Sequence, residues 1–168
     1  MSKSAADLLW EIQETMGDTW LPQIYRQRIL KMRTRSYEFP SIAREAAAQV
    51  QHTLLGIELK VGRRRMLCPD LATARYLAVF ARAGCKAVAI PYDITEISQL
   101  ADALESSWQH MLLLADSRAA NRGTPFRTRL RRALIGKVRD EIAEAGAGER
   151  IPEFKQSTKQ RVRRNDNG

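Results

Sequence analysis

Apolar and polar residues alternate from Leu54 to Val61. Leu55, Ile57, Leu59 and Val61 fall on one side, and Leu54, Gly56, Glu58 and Lys60 on the other. A period of two predicts a half-buried strand, so Glu58 and Lys60 share the face away from the aliphatic row. Gly62 and three arginines, Arg63 to Arg65, predict a turn into a shorter strand, Met66 to Cys68. Pro69 and Asp70 open a helix with Asp70 as its N-cap. Leu71, Ala74, Leu77, Ala78 and Ala81 form its inner stripe, and Gly84 stops it. Ala87 to Ile90 is an unbroken apolar run of strand length, as expected of a strand covered on both faces, and Pro91 closes it.

Helical spacing predicts the rest. Ser4 caps a first helix whose apolar side is Leu8, Leu9, Ile12 and Met16, and Gly17 ends it. Asp18 or Thr19 caps a second, with Pro22 in its first turn, running to about Arg35, where the segment SYEFP breaks it. Ser41 caps a third through about Gln51, with Ile42, Ala46 and Val50 inward and His52 at its junction with the strand. Beyond Pro91, Asp93 and Glu96 resemble a capping box. Ile94, Ile97, Leu100, Ala101, Leu104, Trp108, Met111, Leu112 and Ala115 then mark a long core helix, with His110 off its stripe. After a polar loop, Thr124 caps and Pro125 opens a last helix lined by Phe126, Leu130, Leu134, Val138 and Ile142. The expected class is α/β (α+β): a small mixed sheet, a hairpin plus one crossover strand, flanked by about six helices. Residues 1–145 are expected to form one domain: a helical part (1–51), a hairpin–helix–strand core (53–93) and two C-terminal helices (94–145). Residues 146–168 read as a basic, disordered tail.

Charge changes this picture. The chain carries a net +9, and residues 117–168 hold 14 Lys and Arg against 6 Asp and Glu, so nearly all the excess lies there. Arg118, Arg122, Arg127, Arg129, Arg131 and Arg132 come without an intervening acid. Four of them crowd the start of the last helix, where positive charge opposes the macrodipole. The second helix adds Arg26, Arg28, Lys31, Arg33 and Arg35, again without an acid. Solvated long side chains account for such a face; so does a phosphate-facing one, and the missing carboxylates favour the latter. A nucleic acid, duplex or structured and held mainly through phosphates, is the expected partner, with Arg26, Arg33, Arg63, Arg64, Arg65 and the six arginines above as contacts. The alternative is a non-enzymatic assembly or regulatory protein that docks on an acidic protein, with Trp10, Trp20 or Tyr25 as anchors. A dimer is compatible with either. Cys68 and Cys85 lack metal-ligand spacing and read as buried apolar thiols. No apolar run nears the roughly 20 residues of a membrane-spanning helix, and membrane-surface binding is disfavoured because the arginine-bearing helix lacks tryptophan. No signal sequence is seen, so a cytoplasmic protein is the expectation.

The central block, ELKVGRRRMLCPDLATARYLAVFARAGCKAVAIPYD, resembles the second half of the PD-(D/E)xK nuclease core, and is most similar to the archaeal Holliday-junction resolvases. In that family a strand carries E-x-K; a basic hairpin, a second strand, a helix with a central aromatic and a buried strand follow. Glu58-Leu59-Lys60, Arg63 to Arg65, Phe80 and Val88 to Ile90 occupy those places, over about a quarter of the chain. The resemblance implies a restriction-endonuclease-like core with helical extensions, Glu58 and Lys60 as catalytic residues, and Mg²⁺ as cofactor of a phosphodiesterase. Metal-assisted cleavage needs a second carboxylate, which the family carries on the strand before E-x-K. Glu45, or alternatively Glu38, is the acid available to join Glu58 as a metal ligand. Otherwise the chain is a catalytically inactive relative whose fold serves binding, and Glu58 and Lys60 are a solvent-facing ion pair worth little.

Overall fold

The computed structural model describes residues 2–40 and 47–148. Within them the protein is a mixed α/β fold with two small antiparallel sheets. The elements run α1 (Ala5–Met16), α2 (Leu21–Ile24), β1 (Thr34–Glu38), β2 (Ala48–Thr53), β3 (Gly56–Val61), β4 (Arg64–Cys68), α3 (Leu71–Ala83), β5 (Ala87–Pro91), α4 (Ile94–Arg118) and α5 (Thr124–Ala145).

Helix starts follow the local chemistry. Ser4 and Asp7 form a reciprocal capping box on α1, and the Asp70 carboxylate accepts from the Thr73 N–H at 2.7 Å to start α3. Gly84, at φ 81°, closes α3 in the left-handed region that other residues enter at a cost. Asp93 caps α4 with its carboxylate on the Thr95 N–H, while the Glu96 N–H donates to the Asp93 carbonyl. At α5 the cap is Gly123, not Thr124, and no side chain covers the first N–H groups. The stripes expected on α4 and α5 are buried, except that Leu112 is half-buried and Ile94 stays exposed; Leu71 of α3 is likewise outward. Both cysteines are buried and unbridged.

Three expected elements differ. The second helix is short: α2 passes into a π-helical turn, Tyr25–Ile29, and the chain is extended again by Thr34. The basic stretch read as the end of that helix is therefore β1, paired antiparallel with β5 so that Ser36 faces Ala89. The third expected helix is corrected over its described part: residues 48–53 are the strand β2, with Gln49 opposite Lys60 and Gln51 opposite Glu58. Residues 41–46, including Glu45, and the tail 149–168 lie outside the described residues. Finally, Leu54 and Leu55 are the exposed tip of the β2–β3 hairpin, so β3 begins at Gly56. A single mixed sheet is thus replaced by two antiparallel ones, β1–β5 and β2–β3–β4.

The two sheets meet the helices differently. The β2–β3–β4 sheet lies on α3, burying Leu59, Val61, Ala48 and Cys68. Arg82 of α3 donates to the Ala48 carbonyl at 3.2 Å, fixing the start of β2. β5 runs through the core. Its backbone at Ala89 is held by two tyrosines: the N–H donates to the Tyr25 hydroxyl at 2.8 Å, and the carbonyl accepts from Tyr76 at 2.6 Å. A strand residue aims its N–H and C=O the same way, so these hydroxyls close the edge of β5 that β1 leaves open. Arg75 ties α3 to α4 through Glu105 and Asp102.

Candidate nucleic-acid interface

The β3–β4 hairpin turns on Gly62, whose φ of 60° suits the first position of a two-residue loop. Arg63, Arg64 and Arg65 follow, all exposed. Antiparallel register sets Lys60 directly opposite Arg65, with Gln49 on the other side of Lys60. Like charges in direct cross-strand register destabilise a sheet. Among the described residues, no carboxylate stands within ion-pairing distance of Lys60, Arg63, Arg64 or Arg65. A small cavity of about 120 Å³, lined by Ala47, Gln49, Lys60 and Gly62, opens beside them.

One register step away, Glu58 lies between Gln51 and Leu67. It is expected as a solvent-facing residue and is instead 7% exposed, with its Oε1 lacking any hydrogen-bond partner. Glu58 and Lys60 do share a sheet face, but they form no ion pair. Where a second carboxylate would be needed on the preceding strand, β2 presents two amides, Gln49 and Gln51. No group of three or more His, Cys, Asp and Glu side chains among the described residues is placed to hold a metal. The described side chains therefore do not fit a Mg²⁺ centre, which needs several hard oxygen ligands, and no chemistry is derived through one.

The C-terminal arginines are partly consumed by the fold. Arg118 pairs with Glu11 at 2.8 Å; Lys3, foremost, and Arg118 hold the Glu11 carboxyl below its usual range. Arg131 grips Asp116 with two bonds of 3.2 and 3.1 Å. Arg122 donates to the Lys3 carbonyl and lies 3.5 Å from the Phe126 ring centre, and Arg129 approaches the same ring at 5.6 Å. Arg132 is engaged as well. Arg127 lines a cavity of about 410 Å³ with Thr124, Thr128, Arg131 and Asp116. From the π-helical turn, Arg26 is drawn inward to Glu141 and Gln23, while Arg33, just before β1, stacks on Tyr92 at 4.9 Å. Arg127 and Arg139 lie about 18 Å apart along α5 at 1.5 Å per residue. Arg139 reaches Gly84 at the end of α3, the end whose Arg82 holds β2. The arginines of the α4–α5 junction thus sit at the opposite end of α5 from Arg139. Trp20 and Tyr25, expected as surface anchors, are buried, whereas Trp10 is 58% exposed.

The chain matches no known protein family, no curated protein and no solved structure. No helix among the described residues is long and apolar enough to cross a membrane.

Sequence reading missed the signal in the hairpin itself. The Lys60–Arg65 juxtaposition needs the register, and the register follows from the two-residue turn at Gly62, which the sequence does show.

Proposed function

We propose that the protein binds nucleic acid through phosphates laid on the β3–β4 hairpin. The observation that carries this is the unneutralised pair Lys60 and Arg65, held opposite each other, with Arg63 in the adjoining turn. A sheet selected for stability alone would place a carboxylate opposite one of them; an anion shared between them removes the repulsion. Gln49 adds an amide donor in the same row. Arg33 and the arginines around the α4–α5 junction widen the positive field without forming one continuous groove. No aromatic row lies on this sheet face, so the contacts read backbone and shape rather than stacked bases.

The test is a salt titration on duplex, branched and single-stranded probes. Binding should weaken steeply between 50 and 200 mM salt, as when several phosphates are neutralised. Replacing Arg63, Arg64 and Arg65 by glutamine should lower the log–log salt slope on duplex DNA by about 3. Binding unchanged by the triple substitution refutes the assignment. Capture of an acidic protein that survives nuclease treatment supports the alternative partner instead.

A nuclease-like core and phosphodiesterase activity remain a second reading, favoured by one observation, the buried and unpartnered Glu58 Oε1. A group left so costly in a core is a mark of function. Glu58→Met, which fills similar space without a polar atom, should raise stability by about 1–3 kcal/mol in urea unfolding. The same variant should lose any cleavage of branched DNA. A stability that falls instead shows that Glu58 is a structural partner.

A further inference from the structure

We infer that the cleft between the end of α3 and the last turns of α5 binds a small amphiphilic carboxylate, with Arg139 as its anchor. The cleft encloses about 410 Å³ and is lined by Cys85, Ala87, Ala143 and Ala147 on its apolar side and by Arg139 and Lys86 as cations. That volume is typical of small-ligand sites, as is an apolar wall with few polar groups.

Arg139 is the unusual member. Its side chain is only 26% exposed, yet its one ion pair among the described residues is a loose 3.9 Å contact with Asp140, its own neighbour, which is largely in water. A guanidinium at the wall of an apolar cleft, without a firm carboxylate partner, is suited to an anion. Its position is built. Gly84 and Gly136 leave the space it occupies: a Cβ at 84 would stand 3.3 Å from Nη1, and one at 136 would stand 3.4 Å from Nη2. Lodging near the C-terminus of α3 suits a cation electrostatically but leaves its fork without a matching acceptor.

The charge inventory selects the ligand. One planar fork matches one carboxylate bidentately. Asp140 at the rim disfavours a second negative charge, so a dianionic phosphate fits less well. The alanines and the neutral Cys85 thiol, which burial keeps protonated, suit a hydrocarbon body. This site lies apart from the β3–β4 hairpin and does not depend on the nucleic-acid reading.

The probe is octanoate, titrated into the full chain and followed by the backbone amide shifts of Cys85, Ala87, Ala143 and Ala147. Acetate and octanol serve as controls lacking the body and the charge. Saturable octanoate binding is expected, tighter than either control and not displaced by inorganic phosphate. Arg139→Gln should weaken it at least tenfold while leaving octanol unchanged, and Arg139→Lys should restore it only in part. Should Arg139→Gln fail to fold, Ala143→Glu sets a like charge at the exposed rim and should abolish octanoate binding. Equal affinity in these variants, or no saturable shift with wild-type protein, overturns the assignment.

Discussion

Tyr76→Phe and Tyr25→Phe are each expected to cost about 2–3 kcal/mol, because each strands a buried backbone group of Ala89. Tyr76 takes its hydroxyl proton to the Ala89 carbonyl; Tyr25 accepts from the Ala89 N–H while donating to the Gly146 carbonyl at 2.6 Å. Phenylalanine keeps the ring contacts of both with Phe80, at 5.2 and 5.6 Å, so the loss isolates the hydroxyls. In a chain of this size the melting temperature should fall by roughly 5–10 °C per substitution. Both changes act on one residue, so the double variant should lose measurably less than the sum. A cost under about 0.5 kcal/mol for either would show that water replaces the hydroxyl, and that the edge of β5 is wetter than its burial implies.

The same hydroxyls set an alkaline limit. Burial pushes Tyr25 up to about 12 and Tyr76 well above its ordinary value, and it pushes the Cys85 thiol up to about 12. Unfolded, these groups ionise near 10 and 9. The folded chain therefore holds protons that the unfolded chain releases, so their stability is fully present below about pH 9 and is lost as pH rises through about 12. Urea midpoints should drop most steeply over that window, by up to about 1.4 kcal/mol per pH unit for each group released. Tyr76→Phe should flatten the slope.

Much of this architecture is legible in the residues, for reasons that also explain the failures. β3, α3, α4 and α5 each carry a period strong enough to fix their type, β5 carries an unbroken apolar run of strand length, and local caps such as Ser4 and Asp70 fix three of the helix ends with Gly84. β2 was obscured by composition. The alanines before it favour a helix, yet apolar and polar residues alternate over AQVQ, and pairing with β3 overrides the propensity. β1 is less legible, because its partner β5 lies some fifty positions on and its basic residues continue the spacing of the preceding turn. At the candidate site, the sequence places Glu58 and Lys60 on one face, as observed. It does not show that Glu58 is buried, since burial of an outward strand residue depends on what the rest of the chain lays over it. Nor does it reveal which arginines are spent internally: Arg118 and Arg131 find acids on other elements, 107 and 15 positions away.

Arg26 belongs to that spent group, and its partner defines the other large effect. The Glu141 carboxylate on α5 is 13% exposed and collects the Trp20 indole N–H at 3.0 Å, the Gln13 amide at 3.3 Å, Arg26 at 3.4 Å and Lys137 at 3.5 Å. It thus joins α1, the entry to α2, the π-helical turn and α5 through one side chain. Glu141→Ala is expected to cost about 3 kcal/mol, since it strands the buried Trp20 N–H and adds to the deficit of Gln13, whose Oε1 already lacks a partner. Glu141→Gln should cost less: its carbonyl still accepts from Trp20, while the attraction to Arg26 and Lys137, each 40% exposed, is small to begin with. Arg26→Gln should therefore be mild, under about 1 kcal/mol, and should leave nucleic-acid affinity nearly unchanged. Thermal and urea unfolding of the three variants separate the terms. If Arg26→Gln proves as damaging as Glu141→Ala, the charge pair rather than the indole holds the N-terminal helices to α5. If it instead weakens nucleic-acid binding with no loss of stability, Arg26 leaves Glu141 for phosphate, and the positive surface extends across the π-helical turn.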